Sequence, residues 1–276
     1  MNTTTYQANA TPIVLAYGVG VDSTAALVAM QQRGIRPDAI LFADPGGEKP
    51  ETYAYLPVIG AWLESVGFPA ITIVRYMPTR ATYHTLEEKC LVNETLPSLA
   101  FGKHSCSIVF KAEPQDKWMK TWQPALVAWA RGERVTKIIG YDNGEQDCRR
   151  RAKADRAVAK KDAAAAKGHD HYTYWYILQD WKIDRVECLR LIESAGLPIP
   201  MKSACWFCPA SKKTEVVWLR DTHPVLFQRA IAMEHGARDG KHGLDTVKGL
   251  GRNFAWSDLA HVAATEVVDA AETLRP

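Results

Sequence analysis

Residues Gly18-Val19-Gly20-Val21-Asp22-Ser23-Thr24 gather two glycines, two hydroxyls and a carboxylate in one short segment. They follow the apolar run Ile13-Val14-Leu15-Ala16-Tyr17 and precede Ala25-Ala26-Leu27-Val28-Ala29-Met30, a pattern that reads strand, tight turn, helix. Such a turn puts backbone N–H groups and a helix N-terminus where an anion can sit. Gly18 and Gly20 carry no Cβ and allow close approach to the backbone. Ser23 and Thr24 add hydroxyl donors, while Asp22 suits either a helix cap or a metal bound to phosphate. The chemistry these residues fit is phosphate binding; the plainer alternative is a strand-to-helix turn with an ordinary Asp cap. No Gly-Lys-Ser/Thr follows as a Walker A loop requires, and Ser23 stands where Gly-x-Gly-x-x-Gly needs its third glycine.

Cysteine supplies the second chemistry. Cys205-Trp206-Phe207-Cys208 places two thiols at a spacing that can chelate one metal or one cluster, or serve thiol exchange. Six cysteines in a chain without a secretion signal do not suggest disulfides. Further ligands would have to come from elsewhere, and Cys90 and Cys106 are available, with Cys148 in a basic stretch and Cys188 inside a helical pattern as a core residue. The triplet His169-Asp170-His171 sits in a polar stretch beside Gly168 and reads as a solvated loop.

Five apolar runs are available to position these groups as strands: Ile13–Tyr17, Ala39–Ala43, Ile71–Val74, Val135–Ile139 and Tyr174–Ile177. Helical patterns alternate with them, including Trp118–Trp129 and a helix from Asp184 through Ser194 stopped by Gly196 and Pro198. The expected fold is α/β: a doubly wound, mostly parallel Rossmann-like sheet with a helical C-terminal appendage. The expected division is an α/β nucleotide-binding domain over 12–200, with a basic helical excursion at about 145–170, then a Cys-x-x-Cys knuckle and helical tail over 201–276. In an open sheet of this kind ligands bind beyond the carboxyl ends of the strands, which is where Asp44 and the Gly18–Thr24 loop would lie.

The 276 residues are 47% hydrophobic and 24% charged, ordinary values for a globular protein. No run of 18 apolar residues exists and the first residues are polar, so neither a membrane span nor a signal peptide is expected, and the default compartment is cytoplasmic. A net charge of +3 is too small to imply a nucleic-acid partner. Charge is uneven, however: Arg149 to Lys167 holds eight basic and two acidic residues among alanines. This reads first as a solvated helix, and alternatively as a phosphate-binding face for a polynucleotide. Oligomeric state is not legible.

The loop resembles the Ser-Gly-Gly-x-Asp-Ser element of the PP-loop superfamily of adenine-nucleotide α-hydrolase-like proteins, with Gly18 in place of Ser and Val19 in place of Gly. Asp44-Pro45-Gly46-Gly47-Glu48-Lys49-Pro50-Glu51-Thr52 is similar to the Asp-x-Gly-x-x-x-Pro-Glu-Thr element of the phosphoadenosine phosphosulfate reductase family, and the chain looks like its phage and prophage members. Cys106 with Lys111-Ala112-Glu113-Pro114, Gly140 to Glu145, and Tyr176 to Trp181 resemble later segments of that family in the same order, with Asp142 where an Arg is usual.

The resemblance implies ATP as ligand with Mg²⁺ held by Asp22 and Asp44. It implies a nucleotide-binding set of Tyr17, Gly18, Val19, Gly20, Asp22, Ser23, Thr24, Asp44, Gly140 and Glu145, and catalytic roles for Asp22, Ser23, Asp44 and Lys111. It further implies a four-iron–four-sulfur cluster on Cys106, Cys205 and Cys208 with Cys90 or His104, zinc being the alternative metal. Sulfonucleotide reductases of the family use a cysteine in the C-terminal tail, and no cysteine follows Cys208. ATP-dependent activation of an acceptor, with pyrophosphate release and coupled sulfur transfer, is therefore the first expectation. Sulfonucleotide reduction and a non-catalytic nucleotide-binding module are the alternatives.

Overall fold

A computed structural model describes residues 11–97, 105–164 and 171–263. They gather into two compact units. The first is drawn from residues up to Ala43, Pro50–Val74 and Gln115–Ser203; the second comprises Asp44–Lys49, Arg75–Pro114 and the chain from Ala204 onward. Asp44–Lys49 and Arg75–Pro114, which the sequence places inside the α/β domain, thus cluster with the C-terminal residues.

The first unit is an α/β layer structure. Strands β1 (Ile13–Tyr17), β2 (Ala39–Asp44), β3 (Ile71–Arg75), β4 (Val135–Ile139) and β5 (Tyr172–Trp175) form a parallel sheet in the order β3-β2-β1-β4-β5. In register, Leu15 lies beside Ile40 on one side and Ile138 on the other. The central strands are aliphatic runs buried on both faces, as parallel strands covered by helices must be. Helix α1 (Val21–Gln32) has no polar face, and its residues from Ser23 to Met30 are all buried. Helix α2 (Pro50–Ser65) opens on Pro50 with Glu51 in its first turn, where a fixed φ and a negative charge suit a helix start. Strand order reverses at β1 and β4, so the loop after β1 opens at the topological switch point of the sheet.

Two elements differ from the sequence expectation. After α3 (Leu86–Val92) in the second unit, the pattern over Trp118–Trp129 divides into two helices, α4 (Glu113–Met119) and α5 (Gln123–Ala130). Trp122, with extended ψ, separates α4 from α5, and Pro124 sits in the first turn of α5, where its missing N–H costs nothing. Strand β5 lies two residues earlier than the run Tyr174–Ile177. Tyr172 pairs with Val135 and Trp175 with Ile138, and Ile177 already begins the short helix α7 (Ile177–Asp180). The basic excursion is helix α6 (Glu145–Ala164), and α8 (Arg185–Ser194) starts at an Asp184 cap whose carboxylate accepts from the Glu187 N–H.

The second unit packs α3, a π-helical stretch Ser107–Ala112, and helices α9 (Lys213–Thr222) and α10 (Pro224–Asp239) around one apolar cluster that includes Phe110, Trp206, Phe207, Phe227 and Trp256. Glu234 of α10 is buried, and its carboxylate accepts from Leu250 N (2.7 Å), Trp256 N (2.8 Å), Ser257 N (3.1 Å) and Ser257 Oγ (2.7 Å). Among the described residues, no helix is long and apolar enough to cross a membrane.

Candidate functional site

The loop between β1 and α1 is shaped around a single oxygen. The N–H groups of Gly18 (3.2 Å) and Gly20 (3.4 Å) both point at Ser23 Oγ, which in turn donates to Gly20 O. Gly20 is the cap residue of α1, so these donors stand at the positive end of a 12-residue helix. Val19 is fully buried and holds a left-handed backbone, φ 57°. A β-branched residue there is a genuine outlier. Gly140, just after β4, is needed for a different reason. A Cβ on it would stand 2.9 Å from Ser23 N and Cα, so only glycine lets the two loops meet.

The hydroxyl of Thr24 turns inward and pairs with Tyr17 Oη at 3.0 Å in the core. Burial pushes the Tyr17 phenol well above its usual range. Tyr17 and Thr24, expected at the nucleotide, therefore brace β1 against α1, and their side chains do not line the loop. Asp22 is partly exposed and forms an ion pair with Arg185 at 2.6 Å. Burial raises its carboxyl above the ordinary value. Arg185 opposes that rise, and Asp142 and Asp147 add to it. Asp142 is ordered in its own turn: its carboxylate accepts from Gly144 N, its N–H donates to Asp147, and its carbonyl accepts from Gln179 Nε2 at 2.9 Å. Arg185, Asp147 and Gln179 were not singled out from the sequence, because only the tertiary fold brings α6, α7 and α8 to this loop.

Other expected residues are engaged elsewhere. Glu145 is exposed at the start of α6 and pairs with Arg149. In the same helix Arg150 pairs with Asp147, and Arg151 pairs with Asp180 and lies over the Tyr176 ring. The three leading arginines of the basic stretch thus serve intramolecular pairs. Asp44 lies in the second unit, where it accepts from Gly46 N at 2.8 Å and from Arg75 Nε at 3.0 Å.

Lys111 also lies in the second unit and pairs with the buried Glu48 at 2.8 Å. Burial alone would lower its ammonium; Glu48, with Cys205 and Cys106, more than offsets this and raises it. Glu48 Oε2 is buried without a hydrogen-bond partner, and the Glu48 backbone bridges to Cys205. The four expected metal ligands belong to one apolar cluster, with Cys90 and Cys205 buried and Cys106 and Cys208 partly so. Burial pushes the Cys90 thiol up to about 12; burial and then Glu48 raise Cys205 well above its ordinary value.

Among the described residues no three His, Cys, Asp or Glu side chains stand together as a metal-holding group. The four cysteines expected to share a centre lie in one apolar cluster, where Cys205 is electrostatically coupled to Cys106 and Cys208, and Cys90 to Cys106. His104 lies outside the described residues, as do His169 and Asp170. Cys188 is fully buried in the core of the first unit, as expected.

No family model matches the chain, and no curated protein matches it. Among solved structures, the U34-tRNA thiolase NcsA from Methanococcus maripaludis, determined with its four-iron–four-sulfur cluster, is similar at 16% identity and a TM-score of 0.41, over 88% of this chain and 76% of that one.

Proposed function

We propose that the first unit binds an adenine nucleotide at the Gly18–Thr24 loop and that the protein activates an acceptor with ATP. The carrying observation is the convergence of the Gly18 and Gly20 N–H groups on one oxygen at the N-terminus of α1, at the switch point of a parallel sheet. In this reading Ser23 Oγ occupies the place of a phosphate oxygen and rotates aside, so the two amides and the helix end receive the α/β phosphates. An acceptor oxygen attacks the α-phosphorus, the bond from that phosphorus to the bridging oxygen breaks, and pyrophosphate leaves on the same donors.

Mg²⁺ bound with the nucleotide would neutralise phosphate charge and would need only one or two protein carboxylates. Asp22, within the loop itself, would be the carboxylate that holds it, once the Arg185 pair opens. Arg185 is then left as a cation beside the phosphates. Sulfur delivery to the activated acceptor is the finer form of the proposal, and its support is the motif resemblance alone.

A second reading is favoured by three details: the left-handed Val19, the inward Thr24 hydroxyl and the closed Asp22–Arg185 pair. It is a module that binds nucleotide without cleaving it. One assay separates the two. Protein incubated with Mg-ATP and candidate acceptors releases pyrophosphate and AMP if it is an activator, and the release is lost in Asp22→Ala. Saturable ATP binding with no pyrophosphate across acceptors assigns the module, and absence of ATP binding discards both.

A further inference from the structure

The second unit carries an open cavity of about 670 Å³ whose wall includes Arg238, Asp245, Thr246, Lys248, Arg252 and Asn253. Arg238 is paired with Asp239 at 2.9 Å. Lys248 and Arg252 make no side-chain ion pair among the described residues, although both line the same cavity.

Their backbone is fixed to an unusual degree for an exposed turn. Lys248 N donates to Arg252 O (2.6 Å), Arg252 N to Gly249 O (2.9 Å) and Asn253 N to Gly251 O (2.7 Å). Arg252 is left-handed at φ 62°, a conformation a side chain holds only when its surroundings over-determine it. Those surroundings are visible. The buried Glu234 carboxylate receives Leu250 N within the turn and Trp256 N just after it. Gly249 lies so close to that carboxylate that any Cβ would strike it. A buried anion on α10 thus sets a Gly-x-Gly turn whose flanking lysine and arginine face one cavity.

We propose that this cavity binds the phosphate of a nucleotide unit, with Lys248 and Arg252 as its cationic ligands. Two cations held on one turn, with no side-chain ion pair among the described residues, match a phosphate oxyanion, and a positioned arginine offers it paired donors. Asn253 and Thr246 add neutral hydrogen-bonding groups. Asp245 accepts hydrogen bonds, and so suits the sugar hydroxyls that accompany a phosphate on a nucleotide rather than a bare polyphosphate. The site lies wholly within the second unit and does not depend on the reading of the Gly18–Thr24 loop. The same chemistry is offered by a free mononucleotide and by one residue of an RNA strand.

The test uses the full chain and the double variant Lys248→Gln/Arg252→Gly. Glycine accepts the left-handed backbone, so this variant keeps the turn, and a thermal melt matching the parent confirms it. Uridine monophosphate is titrated by calorimetry and a labelled single-stranded RNA by anisotropy at several salt concentrations. The expected result is that at least one probe binds the parent and is weakened about tenfold or more in the variant, with the RNA salt slope shallower by about 1.4 for two lost phosphate contacts. Response of RNA alone assigns a strand as the ligand; response of both shows that a single nucleotide suffices. Failure of both probes to bind the parent, or equal binding by parent and variant, overturns the proposal.

Discussion

Val19 concentrates the tension in the loop. Its side chain is fully buried in the core while its backbone is left-handed. The left-handed form costs an L-residue roughly 1–2 kcal/mol, more than the roughly 0.5–1 kcal/mol by which glycine's chain entropy usually disfavours it against alanine. The usual order therefore inverts here: Val19→Gly should unfold at higher denaturant than Val19→Ala, by about 0.5–1 kcal/mol. Equal midpoints, or alanine the more stable, would show the backbone to be relaxed.

Asp22 makes a companion case. Its folded-state carboxyl is raised above the ordinary value, chiefly by burial, so the charged form is the disfavoured one in the fold. That group favours folding when protonated, below the ordinary carboxylate value, and the contribution is lost as pH rises through the raised value. Asp22→Asn should thus raise the melting temperature at pH 7, with the gain shrinking as pH falls through the carboxylate range. A residue kept at the expense of stability is what a ligand-binding role predicts. A lower melting temperature for Asp22→Asn at pH 7 would mean that the Arg185 ion pair outweighs burial.

At the scale of elements, the β1–α1 loop works because β4 ends on Gly140. Any Cβ there would press on the Ser23 backbone, which cannot yield as a flexible side chain could. Gly140→Ala should cost about 1–3 kcal/mol and shift the loop, so nucleotide affinity should fall along with the denaturation midpoint. An alanine variant with parental stability and affinity would show that the loops have slack.

The strands were legible because buried parallel strands are uninterrupted aliphatic runs, as in Ala39–Ala43 and Val135–Ile139. The β5 edge was misplaced because Tyr172 to Ile177 is apolar or aromatic almost throughout and offers no alternation to set its end. The break between α4 and α5 was signalled by Pro124 but lay within one apolar pattern. Within the site, Gly18, Gly20 and Ser23 could be read from local spacing. Arg185 and Gln179 could not, since their roles arise from contacts across far-separated helices. Asp44 is marked by its motif, while its hydrogen bond from Arg75 Nε in the second unit is tertiary and not legible. The Lys248-Gly249-Leu250-Gly251-Arg252-Asn253 turn carries a local signal, two glycines between cations.

Across the whole molecule, chemistry is divided between two compact units. One offers converging backbone amides at a sheet switch point; the other holds a thiol-rich apolar cluster and a cation-lined cavity. The near-neutral net charge conceals this, because the three leading arginines of α6 are paired while Lys248 and Arg252 make no side-chain ion pair among the described residues. The central claim is that the Gly18 and Gly20 amides receive nucleotide phosphate. Backbone amide resonances followed during a Mg-ATP titration report on it most directly. The predicted result is saturable movement of the Gly18 and Gly20 signals, with Gly140 responding beside them and all three unmoved in Asp22→Ala. Signals of Gly18 and Gly20 that stay fixed at saturating Mg-ATP would contradict the account.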